Sequence, residues 1–287
     1  MAVIYRVDMS DLSVRAEQPS EAYRDLGGRA LTSAILQAEV PGDCHPLSAD
    51  NKLVIAPGIL TGTGAPCSGR LSVGAKSPLT GTIKESNSGG MAAIALATVG
   101  VRAIVLEGLP TDNRLHRLVV TRDGVRIEPV DGLQMTGNYD TVAAQFEQFG
   151  KQAVCLSIGQ AGEMKAAAAS IASTDIEGRP TRHCGRGGMG AVMGAKGVKV
   201  IVIDPAGGER PKPVDPARFK AGATRFNEAL KKHPLTSETL PTYGTNALTG
   251  VINEAGGLPT RNFSSGYFED ADGISGETQH DTIVERG

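Results

Sequence analysis

Three arginines, Arg179, Arg182 and Arg186, flank a glycine run, Gly185-Arg-Gly-Gly-Met-Gly190, which opens a predicted helix over residues 187–196. Guanidinium forks beside the exposed N–H groups of a glycine corner suit a phosphate. The same run matches G-x-G-x-x-G, and Asp204 lies 19 residues beyond Gly185, the spacing of a dinucleotide fingerprint. That chemistry needs a buried strand leading straight into the glycines. Residues 178–184 are instead polar and broken by Pro180, so a Rossmann-type NAD(P) dehydrogenase is the disfavoured reading. Arginines are mostly exposed, and a surface cluster around a glycine turn accounts for the same residues.

A second constellation lies upstream, in Pro57-Gly-Ile-Leu-Thr-Gly-Thr-Gly-Ala-Pro-Cys-Ser-Gly-Arg70, Lys76-Ser-Pro-Leu-Thr-Gly81 and Glu85-Ser-Asn-Ser-Gly-Gly90. Read as loops, these segments bring hydroxyls, one Arg and one Asn to a helix that starts at the double glycine. Two such helix entrances suit a ligand with two phosphates, or two ligands. No residue stands out as a catalytic acid or base. Glu107 and Glu163 adjoin glycine loops, where carboxylates at strand ends are usually solvated.

The four cysteines, Cys44, Cys67, Cys155 and Cys184, are separated by 23, 88 and 29 residues, so no C-x-x-C pair exists. That spacing is neither a metal nor a disulfide framework. Cys44 and Cys155 are expected to be small buried residues, and Cys67 a packing residue.

The elements that must hold these residues come from a chain of 287 residues, 40% hydrophobic and 21% charged, with a formal net charge of −2. Such a balance leaves no electrostatic footprint for nucleic acid or for a membrane surface. No apolar run reaches the roughly 18 residues of a membrane span, and residues 1–8 lack a signal peptide's apolar region and cleavage site. The expected location is the cytoplasm. Glycine is the outlier, 37 residues against 6 Phe, 5 Tyr and no Trp, and it implies many tight loops around a ligand.

Alternating apolar positions predict a hairpin over residues 3–9 and 12–17, and strands at 52–56, 70–75, 103–107, 153–158, 165–173 and 198–204. Asp123-Gly124 predicts a second hairpin between 115–120 and 125–130. Helices are expected from a cap at Ser20 to about residue 38, and at 89–100, 141–149, 187–196, 215–232 and 245–255. The fold class is α+β: a β-rich base domain with interleaved helices over residues 1–207, then the beginning of a helical domain over 208–287. Prolines and charges at 205–213 mark the linker. No internal repeat is visible.

Taken in order, these segments resemble the aldehyde:ferredoxin oxidoreductase family of tungsten enzymes. The resemblance runs through Leu26-Gly-Gly-Arg29, Asn51-Lys-Leu-Val, Leu60-Thr-Gly-Thr, Ser68-Gly-Arg70, Lys76-Ser-Pro-Leu-Thr-Gly81 and Asn87-Ser-Gly-Gly90. It continues through Ile104-Val-Leu-Glu-Gly108, Ile158-Gly-Gln-Ala-Gly-Glu163, Gly185-Arg-Gly-Gly-Met-Gly-Ala-Val-Met-Gly194, Tyr243-Gly-Thr245 and Leu258-Pro-Thr-Arg-Asn-Phe263. It implies a base under a bis-pyranopterin tungsten (or molybdenum) cofactor, with Mg2+ bridging the pterin phosphates. Arg70 would lie between pterin and an iron–sulfur cluster. Asn87 and the backbone carbonyl of His183 would ligate magnesium. Gly89, Arg182, Gly185 and Arg186 would contact phosphates, and Ser88 and Cys184 count among the cofactor-binding positions.

The family usually has small residues at His183 and Cys184. Its C-x-x-C-x-x-x-C run, which helps to hold a 4Fe-4S cluster, begins just beyond the segment matching 281–287, with the substrate cavity further downstream. The resemblance therefore implies a truncated, cofactor-binding portion of an enzyme that oxidises an aldehyde to a carboxylate and passes electrons to ferredoxin or an electron-transfer subunit. A non-catalytic scaffold or one subunit of a split enzyme is the alternative, and pairing as a homodimer is a further expectation.

Overall fold

In a computed structural model of the chain, which describes residues 2–112 and 114–286, the backbone clusters into two units, one ending at Pro213 and one beginning at Val214. The first unit carries the sheets. Strands β1 (Val3–Asp8), β2 (Ser13–Glu17), β3 (Leu53–Pro57), β4 (Leu71–Lys76), β5 (Ile83–Ser88) and β6 (Val101–Glu107) form one, in the order β2-β1-β6-β3-β4-β5. Strands β7 (Leu115–Thr121), β8 (Gly124–Val130), β9 (Val154–Ser157), β10 (Ile171–Ser173), β11 (Arg182–Cys184) and β12 (Val198–Ile203) form the other, in the order β8-β7-β12-β9-β10-β11.

The second order is the first with six added to every strand number. The sense of pairing repeats as well. Only β1 with β6 and β7 with β12 run parallel, and the other neighbours are antiparallel. Helices α1 (Gly28–Glu39) and α3 (Asn138–Phe149), 12 residues each, occupy equivalent crossovers. Helices α2 (Ala92–Thr98) and α5 (Met189–Ala195), seven residues each, do the same, and α4 (Gln160–Glu163) is a single turn after β9. The expectation of no repeat is thus corrected: the topology is duplicated where the residues are not.

Strand periodicity sets the layers. Leu53 and Ile55, Ile104 and Leu106, Leu156 and Ile158, Ile201 and Ile203 point into one central core that both sheets share with α2 and α5. Their neighbours point outward: Val54, Ala56, Ala103 and Val105 against Leu31, Ile35 and Leu36 of α1, and Cys155, Val200 and Val202 against Val142 of α3. Gly74 of β4 admits α1, since a Cβ there would lie 2.9 Å from the Thr32 side chain.

Several local expectations change. Helix α1 starts at Gly28 rather than at a Ser20 cap, because Gly27 packs so closely on residue 59 that a Cβ would meet the Ile59 nitrogen at 2.6 Å. Residues 85–88, read as a loop, belong to an edge strand over Ile83–Ser88, and Arg182–Cys184, in the polar stretch before the glycine run, form another. Within 165–173 only Ile171–Ser173 is extended.

Glu107 is not solvated. It joins a half-buried ion cluster in which Lys52 bridges Glu39 and Glu107, both at 2.7 Å, and Arg6 reaches Glu39 and Glu17, both at 2.7 Å. Burial alone would raise the Glu39 carboxyl, but hydrogen bonds from Arg6 and Lys52 outweigh it and hold the group at about 2. A carboxyl whose folded pKa is depressed adds stability that is present above its unfolded pKa and lost as pH falls through the folded one. The cluster is expected to contribute about 2 kcal/mol, after allowance for solvent screening. That contribution should fade between about pH 4.5 and pH 2. Thermal melts of Glu39→Gln against the wild type across this range test it: the two curves converge at acid pH, and a constant gap rules the cluster out.

The second unit is helical. Its first helix, α6 (Pro216–Lys232), is capped by Asp215, which accepts from the Arg218 N–H at 2.9 Å, with a proline in the first turn and Lys231 and Lys232 in the last. Short turns α7 (Leu240–Tyr243) and α8 (Thr249–Glu254) precede α9 (Gly276–Arg286), a helix in a stretch the sequence left unassigned. Buried Asn253 staples the chain, donating to the Phe268 carbonyl at 3.0 Å and accepting from its N–H at 2.7 Å.

Candidate functional site

The open edges of the two sheets, β5 and β11, lie against each other, and each leads through glycines into a short helix. Main-chain and hydroxyl contacts lock them. The Arg186 N–H donates to Ser86 Oγ at 3.1 Å, Ser77 Oγ donates to the Gly187 carbonyl at 2.7 Å, and the Met91 N–H donates to the Thr174 carbonyl at 2.9 Å. Gly90 sits at φ 91°, and a Cβ on it would lie 2.6 Å from the Thr174 oxygen, so only glycine lets the first corner close on the second sheet. Asn87 and His183 are the equivalent residues of the two repeats, each next to last in its edge strand.

Strand alternation sorts the expected site residues. Ser86, Ser88 and Cys184 are buried, while Asn87, Arg182 and His183 are exposed. Ser88 and Cys184 therefore offer a ligand only main chain. Burial pushes the Cys184 thiol up to about 12, with the Ser88 hydroxyl acting in the other direction, so no thiolate forms there. On the outer face Arg70 donates through Nε to Asn87 Oδ1. Gly89 lies beside this pair, its Cβ position 3.5 Å from Arg70 Nη1, and Gly185 is open, with nothing within 4 Å. The His183 ring is turned toward its own sheet, Nδ1 lying 2.9 Å from Ser170 Oγ.

The structure brings Arg70, Arg182 and Arg186 to these corners and sets Arg179 apart. Arg182 and Arg186 make no side-chain hydrogen bond or ion pair among the described residues. Arg179 is committed to Glu177 at 2.5 Å and to Asp175 at 3.6 Å. Asp175 clamps the turn that delivers Arg182: it accepts from the Thr181 hydroxyl at 2.7 Å and from the N–H groups of Glu177 and Arg179 at 2.8 and 3.0 Å. These bonds, the Thr181 hydroxyl's foremost, hold its carboxyl at about 2.

Two cations escaped the sequence reading. Arg29, at the start of α1, lines a cavity of about 330 Å³ with Ser68, Arg70, Ser72 and Asn87. Its place in Leu26-Gly-Gly-Arg29 was the only signal. Lys84 lays its stem over Gly187, where a Cβ would meet Lys84 Cγ at 2.4 Å. Cys67 lines the same cavity as Arg29, exposed and at φ 57°, rather than packed in a core. Cys44 is only half-buried, and Cys155 is fully buried as expected. Glu163, expected in solvent, is paired with the wholly buried Lys199. Among the described residues no three His, Cys, Asp or Glu side chains converge on a metal-binding point, and no helix is long and apolar enough to cross a membrane.

The dinucleotide geometry is missing. β11 lies at a sheet edge, three positions from β12 and antiparallel to it, so the glycine run does not sit in a parallel β-α-β unit.

Residues 4–205 match the family described as aldehyde ferredoxin oxidoreductase, N-terminal domain, and residues 222–287 match aldehyde ferredoxin oxidoreductase, domains 2 and 3. The chain is 39% identical over 279 residues to a tungsten-containing aldehyde ferredoxin oxidoreductase of Pyrococcus abyssi, a match covering 96% of this chain and 44% of that protein. A protein of the same description from Pyrococcus horikoshii is 37% identical, with the same coverage. The chain thus spans less than half the length of these curated relatives. Among solved structures, the active-site complex of benzoyl-coenzyme A reductase with 1,5-dienoyl-CoA superposes with a TM-score of 0.77, at 24% identity, over 98% of this chain and 44% of that one. The chain therefore shares its fold with that structure, and by sequence it belongs to the aldehyde ferredoxin oxidoreductase family.

Proposed function

We propose that the chain is the cofactor base of a tungsten oxidoreductase, binding the phosphate-bearing ends of a bis-pyranopterin tungsten group at the two glycine corners. The observation that carries this reading is the convergence of three exposed guanidiniums, Arg70, Arg182 and Arg186, with open glycine backbone, on a chain whose relatives are described as tungsten-containing.

The donor set fits such a group. Phosphate oxygens take planar guanidinium donors in pairs, and among the described residues Arg182 and Arg186 have no competing carboxylate. Magnesium would take oxygen donors here. Asn87 Oδ1 has a second lone pair beyond the one Arg70 uses, and the His183 carbonyl belongs to the equivalent position of the second repeat. The scattered cysteines suit a metal held by cofactor sulfur instead of protein thiolate.

When bound, the group would supply two-electron redox chemistry, which a complete enzyme would use to oxidise an aldehyde to a carboxylate with ferredoxin or a partner subunit as electron acceptor. This chain's residues do the holding. Arg182 and Arg186 neutralise phosphate charge, Arg70 ties the first corner to it, and the Asp175 clamp fixes the turn that delivers Arg182.

The test is elemental analysis for W, Mo and Mg, with pterin fluorescence, on protein purified anaerobically from a host that makes the cofactor. The wild type is expected to carry pterin. The Arg182→Ala/Arg186→Ala double variant should retain less than about one-tenth as much, since each charge-assisted bond contributes about 1.5–3 kcal/mol. Equal pterin in both proteins, with unchanged melting temperature, would sink the reading.

A further inference from the structure

An amide side chain presents either oxygen or nitrogen to a ligand, and the two orientations have nearly the same shape. Something must choose between them at Asn87, because an NH2 group turned toward a cation would repel it. The β4–β5 register supplies the means. Ser72 lies opposite Asn87 and Gly74 opposite Glu85, so Ser72, Glu85 and Asn87 share the outer face of the sheet. Ser72 Oγ, on a residue 3% exposed, donates to Glu85 Oε1 at 2.7 Å. Both Glu85 Oε1 and Ser72 Oγ lie 3.4 Å from Asn87 Nδ2.

An ionised carboxylate accepts and never donates, so the amide's N–H side must face Glu85. Its oxygen then points the other way, where Arg70 reaches it. Arg70 alone is a poor guide: it is exposed, and the proposed ligand competes for its guanidinium. Glu85 has no cationic partner among the described residues, so charge pairing does not explain a half-buried carboxylate here.

We propose that Glu85, fixed by Ser72, is a positioning residue that locks the Asn87 amide with its oxygen toward the bound cation. The inference rests on the phosphate-and-magnesium reading of the corner, and it assigns Glu85 no contact with the ligand itself. Outer-shell partners of this kind typically change metal affinity by about 10–100-fold when removed.

The experiment measures Mg2+ binding by calorimetry on the full chain, with pyrophosphate as the phosphate probe and a melting curve for each variant. Glu85→Leu is expected to weaken Mg2+ binding about tenfold or more, and Ser72→Ala, which changes little in volume, by about threefold or more. Glu85→Gln, whose side-chain oxygen still accepts from Asn87, should recover most of the affinity. On an Asn87→Ala background Glu85→Leu should add less than about twofold, because the residue it orients is gone. Wild-type affinity in Ser72→Ala and Glu85→Leu overturns the proposal, and so does an undiminished loss on the Asn87→Ala background, which would make Glu85 a direct ligand. A wild type that binds no Mg2+ with pyrophosphate, while Asn87 and Arg182 variants behave identically to it, overturns the phosphate-site reading beneath it.

Discussion

Gly194→Ala is expected to lower the melting temperature of the first unit by about 10 °C or to prevent its folding, while Gly185→Ala leaves it within about 1 °C. Gly185 opens the run that spacing alone likens to a dinucleotide fingerprint, Gly194 lies four residues past its end, and the structure gives them opposite duties. All seven residues of α5 are buried. Gly190 and Gly194, four apart, share one face of the helix. A Cβ on Gly194 would lie 2.0 Å from the Gly162 oxygen and 2.8 Å from its carbonyl carbon, and one on Gly190 would lie 2.3 Å from the Ser170 oxygen. The opposing atoms are main chain, so no side-chain rotation relieves the overlap. The helix would have to withdraw from α4 and from residues 169–170, opening the core on that face. Overpacking of this kind costs about 3 kcal/mol or more. Gly185 has open space around its Cβ position and no left-handed backbone, so alanine fits. Thermal denaturation of both variants decides the matter. A destabilised Gly185→Ala beside a wild-type-like Gly194→Ala would mean that the corner, and not the buried helix face, is what packing constrains.

The same segment shows what sequence can carry. Composition and spacing located both glycine corners and the arginines beside them, because glycine and arginine in that pattern have few other uses. Hairpins were legible where turn chemistry is strong, as at Asp123-Gly124, and central strands where apolar residues run together, as in Val198–Ile203. The edge strands were not. β5 reads Ile-Lys-Glu-Ser-Asn-Ser and β11 Arg-His-Cys, polar sequences whose extended form comes from pairing with β4 and β10 rather than from propensity. Missing them hid the register that puts Ser72 and Glu85 beside Asn87, and it hid the burial of Ser88 and Cys184. The duplication was invisible for a related reason. Sheet order and crossover lengths repeat, but Asn87 answers to His183 and Ser88 to Cys184, so side-chain identity carries no trace of it.

Lys196→Met should destabilise the first unit by about 3 kcal/mol, a drop of about 6–12 °C in melting temperature, although it removes no ion pair. Lys196 stands in the turn between α5 and β12 and is 1% exposed. Its ammonium donates to the carbonyls of Gly108 at 2.8 Å, Ser48 and Ala49 at 3.3 Å each, and Asn51. Burial pulls its pKa down to about 8, with Glu107 and Asp8 opposing, so it stays protonated at neutral pH and backbone oxygens solvate it in place of water. Those oxygens come from the segment between α1 and β3 and from the end of β6, so one second-repeat side chain ties down two stretches of the first. Methionine keeps the length and the apolar stem but strands the acceptors, each at a cost of about 1–3 kcal/mol where water cannot reach. Ala49 is exposed and rehydrates, which keeps the total near the lower end. Lys196→Arg should fail to rescue, because a planar fork cannot aim at four carbonyls gathered around one point. Loss of stability in both variants, beside an unaffected Lys151→Met at an exposed position, would show that the two repeats are held by a caged ammonium. A Lys196→Met protein that melts with the wild type would mean that the carbonyls find water and that the shared core and the β5–β11 contacts join the halves without it.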